Sequence, residues 1–172
     1  MAGNKYVSNS AGQLAEVIAA QTSAGVADAN KIPALDSTGR LDSSLLPIGV
    51  GAETKIIVAF EALAAGDFVN VFNDSGTIKV RKADASGGNA KKAHGFVLAA
   101  VASAANATVY YGNLNNQLSS LTLGATYYLS GSTAGGVTST APTTAGHIAQ
   151  ELGVADSTTE LLVEIQRTIT VA

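Results

Sequence analysis

From residue 53 onward, short apolar runs alternate with turn chemistry, and the alternation predicts strands. The runs are Lys55 to Phe60, Phe68 to Asn73, Thr77 to Lys82, Gly95 to Val101, Thr108 to Leu114, Thr126 to Ser130, His147 to Val154 and Leu161 to Gln166. Between them stand Asn73-Asp74-Ser75-Gly76, Ser86-Gly87-Gly88-Asn89, Gly131 to Gly136 and Ala155 to Thr158, residues that turn a chain because glycine takes positive φ and Asn, Asp and Ser bond their own backbone. Ile78 and Val80 alternate with Lys79 and Arg81, and Leu161 and Val163 with Leu162 and Glu164, so these strands have one wet face. Val109 to Gly112, VYYG, does not alternate cleanly and reads as covered on both faces.

The first 52 residues have a different texture. Between Ala11 and Ala24, Leu14, Val17 and Ile18, extended by Gln21, follow a 3.6-residue period, with Ser10 as cap and Gly25 as stop. The spacing predicts a short amphipathic helix. Such a helix is marginal alone, so it either packs on its own domain or serves as a three-helix seam or docking helix on a partner. Next comes IPALDSTGRLDSSLLP, Ile32 to Pro47, bracketed by two of the three prolines. Proline at each end argues against helix and strand interiors. Asp36-Ser37-Thr38-Gly39 has turn chemistry, and Leu35, Leu41, Leu45 and Leu46 supply apolar anchors, so the segment reads as an extended, pinned linker. Gly49-Val50-Gly51 ends it. The expectation is a mainly β protein: an N-terminal arm over 1–52 with a short helix and extended linker, then a compact antiparallel β-sandwich or barrel over 53–172.

Composition bears on how such a fold is stabilised. Hydrophobic residues make up 47% and charged residues only 13%, about half the usual charged share of roughly 25%. With aromatics at 5%, few side chains can each bury a large area. A freely monomeric protein usually wears a mixed charged surface, so both features point to stabilisation by neighbouring copies, as a homo-oligomer. Leu14, Val17, Ile18, Leu35, Leu41, Leu45 and Leu46 are the candidate contact residues.

Charge and motifs narrow the chemistry. A net charge of −3 repels nucleic-acid phosphates. No run approaches the length of about 18 apolar residues of a membrane span, and MAGNKYVSNS lacks the apolar stretch of a signal peptide. With no cysteine, disulfides, thiolate metal sites and a cysteine nucleophile are excluded. His94 and His147 are the two histidines, and neither has further ligands nearby in sequence; His147 and Glu151 lack the second histidine of a zinc-protease motif. No serine sits in a Gly-x-Ser-x-Gly elbow, and Gly87-Gly88 and Gly135-Gly136 lack the Lys-Ser/Thr of a phosphate loop. Asp36 and Asp42 fall in the linker, where local turn capping is their expected role. The expectation is therefore a non-enzymatic protein without cofactor or metal. Half the basic residues, Lys79, Arg81, Lys82, Lys91 and Lys92, fall in one strand and the Gly-rich loop after it. They form either a contact patch for an acidic partner or a solvated hairpin whose lysines deter edge pairing, and the second use is the commoner one.

The run GDFVNVFNDSGTIKVRKADASGGNAKKAHGFVLAAV from Gly66 to Val101, with ATVYYGNLN, LTLGATYYLS and GHIAQELGVADSTTELLVEIQ after it, resembles a β-module of bacteriophage virion proteins, among them capsid decoration (cement), head-fibre and other appendage proteins. The linker looks like a segment that precedes the carboxy-terminal domain of phage fibre proteins, which pulls partly toward the tail. The lack of a long repetitive shaft favours the head. The resemblance implies a homotrimer on the outer surface of a capsid, assembled in the host cytoplasm, that ties together subunits of the major capsid protein; a fibre or tail appendage touching the host is the alternative. A carbohydrate-active enzyme is the third class, and it lacks a carboxylate pair. Glycan binding would call for aromatic platforms, and without tryptophan the candidates are Tyr110, Tyr111, Tyr127 and Tyr128, adjacent pairs that place one ring of each inward.

Overall fold

A computed structural model describes residues 5–10, 12–37, 39–46 and 52–172. The chain divides into two compact units, Met1–Gly51 and Ala52–Ala172, and is mainly β. Ala11, Thr38, Pro47 and the Gly49-Val50-Gly51 break lie outside the described residues.

The first unit opens with a hairpin where a helix was expected. Strands β1 (Lys5–Ser10) and β2 (Gln13–Ile18) pair antiparallel in register from Lys5↔Ile18 to Ser10↔Gln13. The apolar spacing of Leu14, Val17 and Ile18 fits a helical period, but Leu14 and Ile18 also fit a period of two, with Glu16 between them. The strand period wins because Lys5–Ser10 offers a full ladder of backbone partners, whereas an isolated helix of this length has no packing to stabilise it. Asn9 Oδ1 accepts from Gly12 N–H at 3.0 Å, and Gly12 takes φ 85° to close the turn. Leu14 and Ile18 therefore share one face and Val17 lies on the other. Neither a docking helix nor a helical seam exists here.

The linker is pinned, as expected, and extended at its start, but Ser43–Leu45 form a 3-10 turn. Ala20 pairs with Pro33 as a parallel bridge, its N–H donating to Ile32 O (3.0 Å) and its carbonyl accepting from Ala34 N–H (2.9 Å). Asp36 Oδ1 accepts from Arg40 N–H (3.0 Å) and Asp42 Oδ1 from Ser44 N–H (2.9 Å), so both carboxylates cap turns.

In the second unit, β3 (Thr54–Ala59), β4 (Phe68–Asp74), β5 (Thr77–Lys82), β6 (Gly95–Phe96) and β7 (Asn106–Tyr110) close into a barrel in the order β3-β5-β4-β6-β7. The domain is not wholly antiparallel: β3 runs antiparallel to β7 but parallel to β5, through Val58↔Lys79 and Ala59↔Val80, and this pair closes the barrel. The tight β4–β5 turn has Ser75 at φ 51° and Gly76 at φ 92°, the two positive values that match a right-twisted hairpin. Ile57, Ala59, Val69, Val80, Ala107 and Val109 fill the barrel. Five strands enclose little space, so small β-branched and alanine side chains suffice, and this accounts for an apolar content poor in aromatics.

The chain then leaves the barrel. β8 (Asn113–Asn115), β9 (Thr126–Leu129), β10 (Val137–Thr138), β12 (Glu151–Ala155) and β13 (Leu161–Val163) form an antiparallel sheet ordered β10-β9-β12-β13-β8, while β11 (Ile148–Ala149) pairs with β14 (Ile169–Thr170). Gly95 to Val101, expected as one strand, pairs only at β6 and at an isolated Leu63↔Val101 bridge, and two further runs expected as single strands are broken here. Thr108 to Leu114 changes sheet at Tyr111-Gly112, with Asn113 turning the corner at φ 87°, and His147 to Val154 changes sheet at the buried Gln150. A second core joins Phe68 and Phe96 of the barrel to Leu129, Ile148, Leu152 and Leu161. Phe96 anchors it, 5.9 Å from Phe68 and stacked on Tyr110 at 5.6 Å.

Candidate functional site

The seven apolar contact candidates are spread over the first unit. Leu14 and Ile18 are exposed with Val7 on one face of the hairpin, at 76%, 64% and 67%. Leu35 and Leu41 are exposed, and Val17, Leu45 and Leu46 are half-buried. Val26 and Ile32 are exposed as well, and Ala20 is the unit's buried hydrophobic residue among those described. Lys5 and Glu16, on the same face as Leu14 and Ile18, pair with each other across the hairpin.

The five basic residues do not form one free patch. Lys79 pairs with Asp74 at 2.7 Å and lies 5.7 Å from the Phe60 ring. Arg81 sits 4.2 Å over Phe72, donates from Nε to Asn70 Oδ1 (3.0 Å) and from its outer nitrogen to Ala90 O (2.8 Å). Lys82 pairs with Asp67 at 3.3 Å. The methylenes of Lys91 cover Gly87. These cations brace the barrel hairpin and the loop after it. Lys92 is different, because it opens onto a cleft.

That cleft, of about 620 Å³, is lined by Lys92, Ala93, His94, Tyr111, Gln150, Ile165, Gln166, Arg167 and Thr168. One buried amide links its two walls. Gln150 Oε1 accepts from Ala93 N–H (2.8 Å), and its Nε2 donates to Ala93 O (3.0 Å) and Gln166 O (3.2 Å). Asn70, also buried, donates to Lys92 O (2.8 Å). His94 Nδ1 accepts from Val71 N–H at 3.0 Å, which puts the proton of the neutral ring on Nε2. Burial first, and the neighbouring Lys92 charge second, hold the His94 pKa below its ordinary value, so the ring is neutral at pH 7. Burial, and then the Glu53 carboxylate, push the Tyr111 phenol up, so it keeps its proton.

Replacing Gln150 with leucine will strand the Ala93 amide and the Gln166 carbonyl. The expected cost is about 2 kcal/mol, read as a lower denaturation midpoint, with faster amide exchange at Ala93. An unchanged midpoint would mean that the walls are held by something else.

His147 lines a separate depression with Ser130, Ser132, Thr138 and Thr140, so the two histidines do not converge. Among the described residues no group of three or more His, Cys, Asp or Glu gathers as a metal site, and no helix is long and apolar enough to cross a membrane. Of the tyrosines, Tyr127 is buried with its hydroxyl accepting from Thr122 N–H (2.9 Å), Tyr128 is half-buried, Tyr110 stacks on Phe96 and Tyr111 faces the cleft. The sequence singled out Lys92 but not Arg167, which is the only lysine or arginine after Lys92; that isolation was the available signal.

Comparison with family models, with curated proteins and with solved structures returns no match for the chain.

Proposed function

We propose that the chain is a non-enzymatic structural protein of a bacteriophage virion, which decorates and stabilises the capsid by binding the outer surface of the major capsid protein shell as a homotrimer. The observation that carries this reading is the imbalance of the first unit. Val7, Leu14, Ile18, Val26, Ile32, Leu35 and Leu41 are exposed there, while Ala20 is the buried hydrophobic residue among those described. A two-stranded hairpin is marginal in water, and leaving such a surface wet forfeits the apolar burial that would stabilise it. Against copies of itself and a shell, the same surface becomes an attachment device. The β-domain, with two cores of its own, does not need that surface for its packing. The resemblance of Gly66 to Gln166 to a virion β-module supports the setting, and the linker's likeness to fibre proteins supports the alternative of a fibre or tail appendage.

The test is assembly on shells made from the major capsid protein encoded in the same genome. The full chain is expected to sediment alone as a trimer at micromolar concentration and to co-sediment with shells at saturable, symmetric occupancy. A monomer that leaves shells bare, or labelling confined to tails, would overturn the decoration reading.

A further inference from the structure

The cleft between the 92–94 and 165–168 segments is built for a ligand that the structural role does not require. It carries two cations, Lys92 and Arg167, and no carboxylate among its lining residues, on a chain whose net charge is −3. Among the described residues neither cation has an ion pair or a side-chain hydrogen bond, whereas Lys79, Arg81 and Lys82 are each engaged. Two unpaired cations lining one concavity raise its local positive potential, and a bound anion relieves it.

The neutral groups narrow the anion further. His94 has Nδ1 committed to Val71 N–H, which leaves Nε2–H as the donor it can offer. Tyr111 brings a protonated phenol and a ring, and half-buried Ile165 extends the apolar wall. Thr168 donates its hydroxyl to Asn89, which leaves its oxygen as an acceptor. A bare phosphate would use the cations and leave the ring and Ile165 without a partner. A sugar ring bearing a carboxylate uses all of them: the carboxylate between Lys92 and Arg167, hydroxyls on His94 and Thr168, and C–H faces on Tyr111. Because Gln150 ties Ala93 to Gln166 from below, the walls are set before any ligand arrives and little ordering entropy opposes binding.

We infer that this cleft binds carboxylated saccharides, with Lys92 and Arg167 clasping the carboxylate. The inference concerns the β-domain alone and stands whether or not the chain decorates a capsid.

The test is saturation-transfer NMR on the full chain with methyl glucuronide, with methyl glucoside as its neutral counterpart and inorganic phosphate as competitor. Transfer to the glucuronide ring protons is expected, with the glucoside weaker by about tenfold, since a hydrogen bond to a charged group carries roughly that factor. Lys92→Gln with Arg167→Gln should lower glucuronide affinity by about tenfold or more while leaving the denaturation midpoint unchanged, both side chains being unpaired in the fold. Equal transfer to the glucoside, full displacement by equimolar phosphate, or an unaltered signal in the double variant would each overturn the assignment.

Discussion

Gly153→Ala is expected to destabilise the β-domain by about 4 kcal/mol or more, one of the largest losses a single added methyl can cause. Gly153 sits at φ 148°, and a Cβ there would lie 2.0 Å from Leu162 O and 3.0 Å from Leu162 C. Relief would need β12 or β13 to move. Both are held: Gly153 pairs with Val163 on one side and with Tyr127 on the other, across the bulge between Glu151 and Gly153. Neighbouring Leu152 and Leu161 are fully buried, so shifting either strand opens the second core. The left-handed backbone adds about 1–3 kcal/mol for any residue but glycine. Gly76→Ala separates the two effects, because Gly76 has φ 92° with nothing within 4 Å of its Cβ position. It should cost about 1–2 kcal/mol, against a drop of roughly 15 °C in melting temperature for Gly153→Ala. Melting points within a few degrees of each other for the two variants would show that the bulge yields.

Much of the β-domain was legible because its signals are local. Thr77 to Lys82 coincides residue for residue with β5, since alternation and an Asp-Ser-Gly turn act within one hairpin. Lys55 to Phe60 and Phe68 to Asn73 differ from β3 and β4 by one residue at their ends. What was not legible depends on partners far along the chain. The parallel β3–β5 pairing joins strands separated by β4, and nothing in either strand announces its direction. The sheet changes at Tyr111-Gly112 and Gln150 look like uninterrupted apolar runs until the two sheets are seen. The arm failed for another reason: over six residues, apolar positions four apart suit both a helix and a strand, and only Lys5–Ser10 as a partner decides. The cleft was half legible. Lys92 stood out within a basic run, but its opposite wall is brought in by a hydrogen bond from Gln150 to Ala93, 57 residues away.

If the first unit is the attachment device, Leu14→Thr with Ile18→Thr should weaken self-association or shell binding by about 100-fold, while leaving the β-domain's melting temperature unchanged. Burying one such side chain contributes about 1.5–3 kcal/mol, and a combined loss of about 3 kcal/mol corresponds to that factor. Threonine is β-branched and suits a strand, so the hairpin should persist. Both side chains are exposed, so their removal takes little from the unit itself. The same face carries one ion pair, Lys5 with Glu16, which is exposed and satisfied within the hairpin; such a pair is worth at most about 1 kcal/mol and is screened by salt. Raising salt from 0.05 M to 0.5 M, on the order of a threefold fall in Debye length, should therefore change association only slightly. Sedimentation across that series, for the wild type and the double variant, separates the two forces. Strong salt sensitivity with an inert double variant would move attachment to charge and away from this face. Should Leu41→Ser with Leu45→Ser reproduce the loss while the hairpin variant binds normally, the pinned linker, with Leu41 exposed and Leu45 half-buried, would be the surface that docks.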